Sequence, residues 1–158
     1  MVNVLRAVLV TPCVLAGIAG CAAAPDQSSV ATVDGTFNAM VLAYSMSAFV
    51  GDRLPPRSTI TLAPPAPDEG SEAVTSVLVT ALRQQHLTVI EPDTSDGPPA
   101  NPTGAHRVGY RLTPLDNGVL VRVMLDGTMQ GARAYERNTA DLLQPRGPFS
   151  TFQVEAAR

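Results

Sequence analysis

The chain has 158 residues, 45% hydrophobic and 16% charged, with a net charge of −3. That length supports one domain with a sizeable core and not two. All 11 basic residues are arginine and none are concentrated in one run, which excludes the electrostatic footprint of a nucleic-acid-binding protein. With four Phe, three Tyr and no Trp the core must be aliphatic, and 14 prolines and 12 glycines imply several loops.

Met1 to Arg6 is a short segment with one positive charge, followed by an apolar run from Ala7 to Gly20. Fourteen residues are too few to span a bilayer, which takes about 20. The run ends Ile18-Ala19-Gly20-Cys21, an apolar residue and two small residues ahead of a cysteine. This is the pattern of a bacterial lipobox. Small residues let a peptidase draw extended backbone into a narrow site, and only a thiol forms the thioether to diacylglycerol. Cleavage between Gly20 and Cys21 is therefore expected, with Cys21 then carrying the diacylglyceryl group and an N-acyl chain. Two or more chains anchor stably, whereas one binds marginally. The competing reading is an ordinary secretory signal followed by a chance cysteine. Ala22 rather than Asp follows the cysteine, which favours the outer membrane, on its periplasmic face. Removal of residues 1–20 takes away Cys13 and Arg6, leaving 138 residues at a net charge of −4. Apart from Cys21 no cysteine remains, so neither a disulfide nor a cysteine metal ligand is expected.

Residues 21–33 are small and polar and read as a flexible tether. Residues 34–53 read as a helix, with Phe37, Met40, Val41, Tyr44 and Ala48 as its apolar stripe and Asn38, Ser45 and Ser47 opposite. It is expected to pack on its own core or, lying between tether and domain, to dock on a partner. Leu54-Pro55-Pro56 ends it. Residues 57–158 read as a small α+β periplasmic domain. Arg57 to Ala63 alternates as a strand, Glu69 to His86 is a helix with Val74, Val77, Leu78, Ala81 and Leu82 on one face, and Leu87 to Glu91 is a strand. Pro92 to Gly104 is a long loop. From His106 the pattern is β. Val108, Tyr110 and Leu112 share one face and Arg107, Arg111 and Thr113 the other. Asp116-Asn117-Gly118 makes a hairpin turn and Val119, Val121, Val123 and Leu125 alternate. Asp126-Gly127 makes a second turn and Thr128 to Arg137 is the returning strand. Phe149 to Glu155 reads as an edge strand. The expected fold is a helix-on-antiparallel-sheet sandwich in β-α-β-β-β order, preceded by the signal, the tether and one additional helix.

Catalytic chemistry is not evident. His86 and His106 are the only histidines and so the only candidate bases of that type, there is no Gly-x-Ser-x-Gly elbow, and two histidines without cysteine are too few for a structural zinc. Phosphate-loop and dinucleotide glycine patterns are missing. We therefore expect no enzyme activity, no cofactor and no metal. Arginine is the candidate for function. If strand parity carries across the hairpins, several of Arg107, Arg111, Arg122 and Arg133 line one sheet face with Tyr110 or Tyr135 nearby, a composition typical of interface hot spots. A solvated face whose charges discourage edge aggregation is the alternative.

Several pieces resemble the TrbH lipoproteins of conjugative plasmids. They are the lipobox ending at Cys21, Pro55-Pro56-Arg57-Ser58-Thr59, Ala81-Leu82-Arg83, Leu120-Val121-Arg122-Val123, Ala132-Arg133-Ala134-Tyr135, and Leu143-Gln144-Pro145 with Gly147-Pro148-Phe149. Their order and spacing run through most of the chain after Cys21. The long loop at 92–104 departs from the pattern, as does His86, where a glycine-like helix cap is more usual. The resemblance implies a subunit of a mating-pair formation apparatus, a type IV secretion system. It would be held at the outer membrane by lipid among other transfer-channel core proteins, in a hetero-oligomeric assembly without direct nucleic-acid contact. A periplasmic lipoprotein that binds a small molecule or cell-wall component is the second reading.

Overall fold

The computed structural model describes residues 29–30, 36–66, 69–91 and 101–153. The signal segment, the cleavage site at Gly20 and Cys21, most of the tether and residues 92–100 lie outside the described residues.

Among the described residues, two helices cover one face of a single mixed sheet. The strands are β1 (Ser29–Val30), β2 (Thr59–Leu62), β3 (Thr88–Ile90), β4 (His106–Leu115), β5 (Gly118–Leu125), β6 (Met129–Arg137), β7 (Leu143–Pro145) and β8 (Ser150–Gln153). Their order is β3-β2-β4-β5-β6-β7, with β1 beside β4 and β8 beside β6. The fold is α+β, as the element order implies. The sheet, however, is not wholly antiparallel. β2 runs parallel to both β3 and β4, and β1 runs parallel to β4. For β2 and β3 the reason is the helix α2 (Glu69–Gln84) between them. A helical crossover returns the chain to the end where it started, so adjacent strands joined by one must be parallel. β1 also takes two residues out of the expected tether by pairing Ser29 and Val30 with Arg111 and Leu112. A short strand at Leu143–Pro145 was not expected, and the edge strand is Ser150–Gln153.

The face of α2 is the one its periodicity marks. Val74, Leu78, Ala81 and Leu82 are buried. The helix α1 (Thr36–Gly51) is placed differently. Its buried side is Ala39, Leu42, Ala43, Met46, Phe49 and Val50, together with Asn38 and Ser47. In the stripe expected from the sequence, Met40 is 40% and Tyr44 is 42% exposed. The stripe was misplaced because α1 is apolar nearly all round, so two sets of positions at i, i+3, i+4 and i+7 compete. The choice falls to the polar residues. Asn38 Oδ1 accepts from the Leu143 N–H at 2.9 Å and its Nδ2 donates to the Asp141 carbonyl at 3.2 Å. Ser47 donates to the Tyr44 carbonyl at 2.8 Å. Burying Leu42, Met46 and Val50 stabilises the fold by about 1.5–3 kcal/mol each, and α1 packs on α2 as part of the same core as the region after residue 57.

Tyr110 on β4 ties α2 to the sheet. Its hydroxyl donates to the Ser71 carbonyl at 3.1 Å and lies 2.6 Å from the Thr75 hydroxyl. α2 ends in a paired cap in which the His86 N–H donates to the Arg83 carbonyl and the Leu87 N–H to the Leu82 carbonyl. His86 sits there at φ 61°, in the left-handed region that favours glycine. We expect His86→Gly to stabilise the protein by about 1 kcal/mol, raising Tm by about 2–4 °C. A thermal melt checks it, and an unchanged or lower Tm would refute the strain.

Candidate partner-binding groove

The five residues singled out for partner binding do not share a surface. Arg111 pairs directly with Arg122 across β4 and β5, and Arg107 lies four residues before Arg111 on the same face of β4, away from the helices. Arg133 pairs with Val121 and Tyr135 with Val119, so both belong to the helix-covered face. The expectation of one arginine-lined face is corrected here, and the cause is one residue in a turn. A two-residue loop at Asp126-Gly127 would set Arg133 on the face of Arg122. The observed pairing joins Leu125 to Met129 across a three-residue connection, 126–128, and Arg122 meets Ala132 instead. A one-residue slip moves every following side chain to the other face. Asp126 holds this turn, accepting from the Arg107 N–H at 2.8 Å and contacting His106 Nδ1 at 2.7 Å.

Arg133 and Tyr135 instead meet the outer side of α1. Tyr135, 2% exposed, donates through its hydroxyl to Ser45 Oγ, and Arg133 donates to the same oxygen at 3.1 Å. Arg133 Nε also donates to the Gly147 carbonyl at 2.7 Å, fixing the turn between β7 and β8. Between α1 and this turn lies an open groove of about 680 Å³. Val41, Tyr44, Ala48 and Asp52 form one wall, and Pro145, Pro148 and Phe149 the other. Phe49 reaches across to Phe149, ring centroids 4.7 Å apart. It can do so because β6 has Gly131 beneath it, where a Cβ would lie 2.3 Å from the ring. Arg53 stacks 3.6 Å from the centre of the Phe49 ring, and Arg133 stands 5.5 Å from that of Phe149. Guanidinium over aromatic rings leaves the charge available for an incoming acceptor while covering the apolar stem.

The groove has the makeup of an interface hot spot, aromatic rings and arginine beside a well-packed floor. Tyr44, Phe49, Arg53 and Phe149 were not singled out for binding from the sequence. Tyr44 belongs to the α1 stripe expected either to pack on the core or to dock on a partner, and the usable signal was its phenol, an amphipathic side chain suited to a half-wet site. His86 caps α2 and His106 borders the turn at Asp126. Among the described residues no three His, Cys, Asp or Glu side chains come together to hold a metal, and no helix is long and apolar enough to cross a membrane.

A family model described as conjugal transfer protein TrbH matches residues 23–155. No curated relative and no solved structure matches the chain.

Proposed function

The chain belongs to the TrbH family of conjugal transfer proteins, and from that premise we propose that it is a lipid-anchored structural subunit of a conjugative type IV secretion apparatus. In this reading the lipid on Cys21 holds the domain at the periplasmic face of the outer membrane, and the domain binds core proteins of the transfer channel. The family membership, spanning nearly all of the chain after the lipobox, carries the transfer role. The lipobox Ile18-Ala19-Gly20-Cys21 supports the anchor. The groove between α1 and the β7–β8 turn supports a binding rather than a catalytic task, with no enzyme activity, cofactor, metal or direct nucleic-acid contact in the proposal.

Replacing Cys21 with serine removes the acylated thiol. We expect the Cys21→Ser protein to lose palmitate labelling, leave the membrane fraction and lower plasmid transfer toward the level of a deletion strain. Full transfer by the soluble form would sink the anchoring role. Detergent co-purification with other transfer-channel proteins tests the binding half.

The second reading, a lipoprotein that binds a small molecule or cell-wall component, draws on the groove's volume, which lies within the range of ligand sites. Its open shape argues for an extended segment instead, since a small ligand is usually buried over most of its surface. Recovery of the lipoprotein alone in the co-purification would favour this second reading.

A further inference from the structure

We propose that the groove binds an extended acidic segment of another protein, with two carboxylates set either side of a proline or other apolar residue. The proposal rests on the reading that the groove is a partner site, and it adds what that partner must carry. The basis is the way the groove holds positive charge. Arg53, Phe49, Phe149 and Arg133 form a chain of four planar groups, with successive centres 3.6, 4.7 and 5.5 Å apart. A guanidinium therefore closes each end of an aromatic pair. Arg53 Nη1 donates to the Phe49 carbonyl at 2.9 Å, and Arg133 donates to the Gly147 carbonyl and to Ser45 Oγ. All three acceptors are neutral, and neither arginine pairs with a carboxylate among the described residues. Arginine carries five N–H donors in a rigid fork, so each head keeps donors for an incoming acceptor in a position already fixed.

Charge then selects the occupant. The chain as a whole is acidic, at −3. The groove is lined by two arginines against the single acid Asp52, a net of +1. A basic groove on an acidic molecule is complementary to an acidic partner and repels another basic one. Carboxylates are the acceptors that a guanidinium fork binds most strongly, through short charge-assisted hydrogen bonds. Between the two heads the surface is aromatic and flanked by Val41, Ala48, Pro145 and Pro148. Such grooves favour proline-rich extended backbone, which is ordered before it binds. Extended backbone advances about 3.3 Å per residue, so acids two to four residues apart stand about 7–13 Å from each other. That spacing lets one carboxylate meet each arginine while the residue between them lies over the two rings.

A short fluorescein-labelled peptide of alternating glutamate and proline tests this, by anisotropy against the full chain in neutral mild detergent. Saturable binding that weakens with added salt is expected, with glutamine–proline and lysine–proline peptides at background. Arg53→Gln and Arg133→Gln should each weaken binding about tenfold, and Arg53→Gln alone decides if Arg133→Gln fails to fold. Asp52→Asn removes the opposing charge and should tighten binding about twofold to fivefold. No binding of the glutamate–proline peptide overturns the proposal. So does equal binding of the glutamine–proline peptide, or binding unmoved by Arg53→Gln. Displacement by inorganic phosphate as effective as by unlabelled peptide also overturns it, by giving the groove to a phosphorylated ligand. Detergent co-purification separates this proposal from the reading it rests on. If Arg53→Gln recovers transfer-channel proteins as well as the wild type does, the acidic-segment proposal falls and the structural role stands. If the wild type recovers none, the structural role falls, and the peptide titration still decides what the groove binds.

Discussion

Replacing Gly118 with alanine is expected to destabilise the protein by about 3 kcal/mol, the upper part of the range for a forced steric insertion. Gly118 opens β5 and pairs with both Leu115 and Glu136. A Cβ built there lies 1.9 Å from the Tyr135 carbonyl oxygen and 3.0 Å from the Glu136 Cα. Both obstacles are backbone, so no rotamer change relieves the clash, and β6 must move away from β5. That movement would draw Tyr135 from its bond with Ser45 and open the groove at its floor. The glycine was legible in the sequence as part of an Asp-Asn-Gly turn, yet its φ is not in the left-handed region. It is needed for the close approach of β6, a requirement that exists only once the third strand is in place. Urea denaturation of the wild type and Gly118→Ala measures the loss. A difference below about 1 kcal/mol would show that the strands yield easily and that the clash costs little.

Asn38→Leu should cost about 1–3 kcal/mol, the cost of leaving the buried Leu143 N–H without its acceptor, since the exposed Asp141 carbonyl can turn to water. Asn38 is 4% exposed and bridges elements more than a hundred residues apart, holding the Leu143 N–H and the Asp141 carbonyl at the start of β7. Leucine matches its size and adds apolar surface, so a purely hydrophobic account predicts a gain. Hydrogen exchange separates the two accounts. The Leu143 amide should lose protection far more than amides in α2, and unchanged protection there would refute the role of Asn38 as a clasp. Because β7 carries Pro145 at the groove, the same substitution should weaken any partner held in it.

How far the sequence could be read follows the same division. The α2 face was legible because Val74, Leu78, Ala81 and Leu82 stand against polar neighbours, leaving one amphipathic solution. The β4–β5 hairpin was legible because alternation and a turn agree on one register, and Val108, Tyr110, Leu112, Val121, Val123 and Leu125 are all buried as their pattern requires. The α1 face was not legible, since Met40, Val41 and Tyr44 make a second largely apolar stripe beside that of Leu42 and Met46, and the distant partners of Asn38 choose between them. The groove shared this fate. Its residues come from α1, β6 and the β7–β8 turn, and no local pattern links Tyr44 to Phe149.

The sequence by itself determined the element types, the α+β class and the family, because these depend on local periodicity and on the order of motifs along the chain. Tertiary structure alone decided the side of α1 that is buried and the split of the arginines between two faces. Those outcomes depend on which long-range backbone groups must be satisfied and on a single extra residue in the turn at 126–128, and neither is visible to a local periodicity.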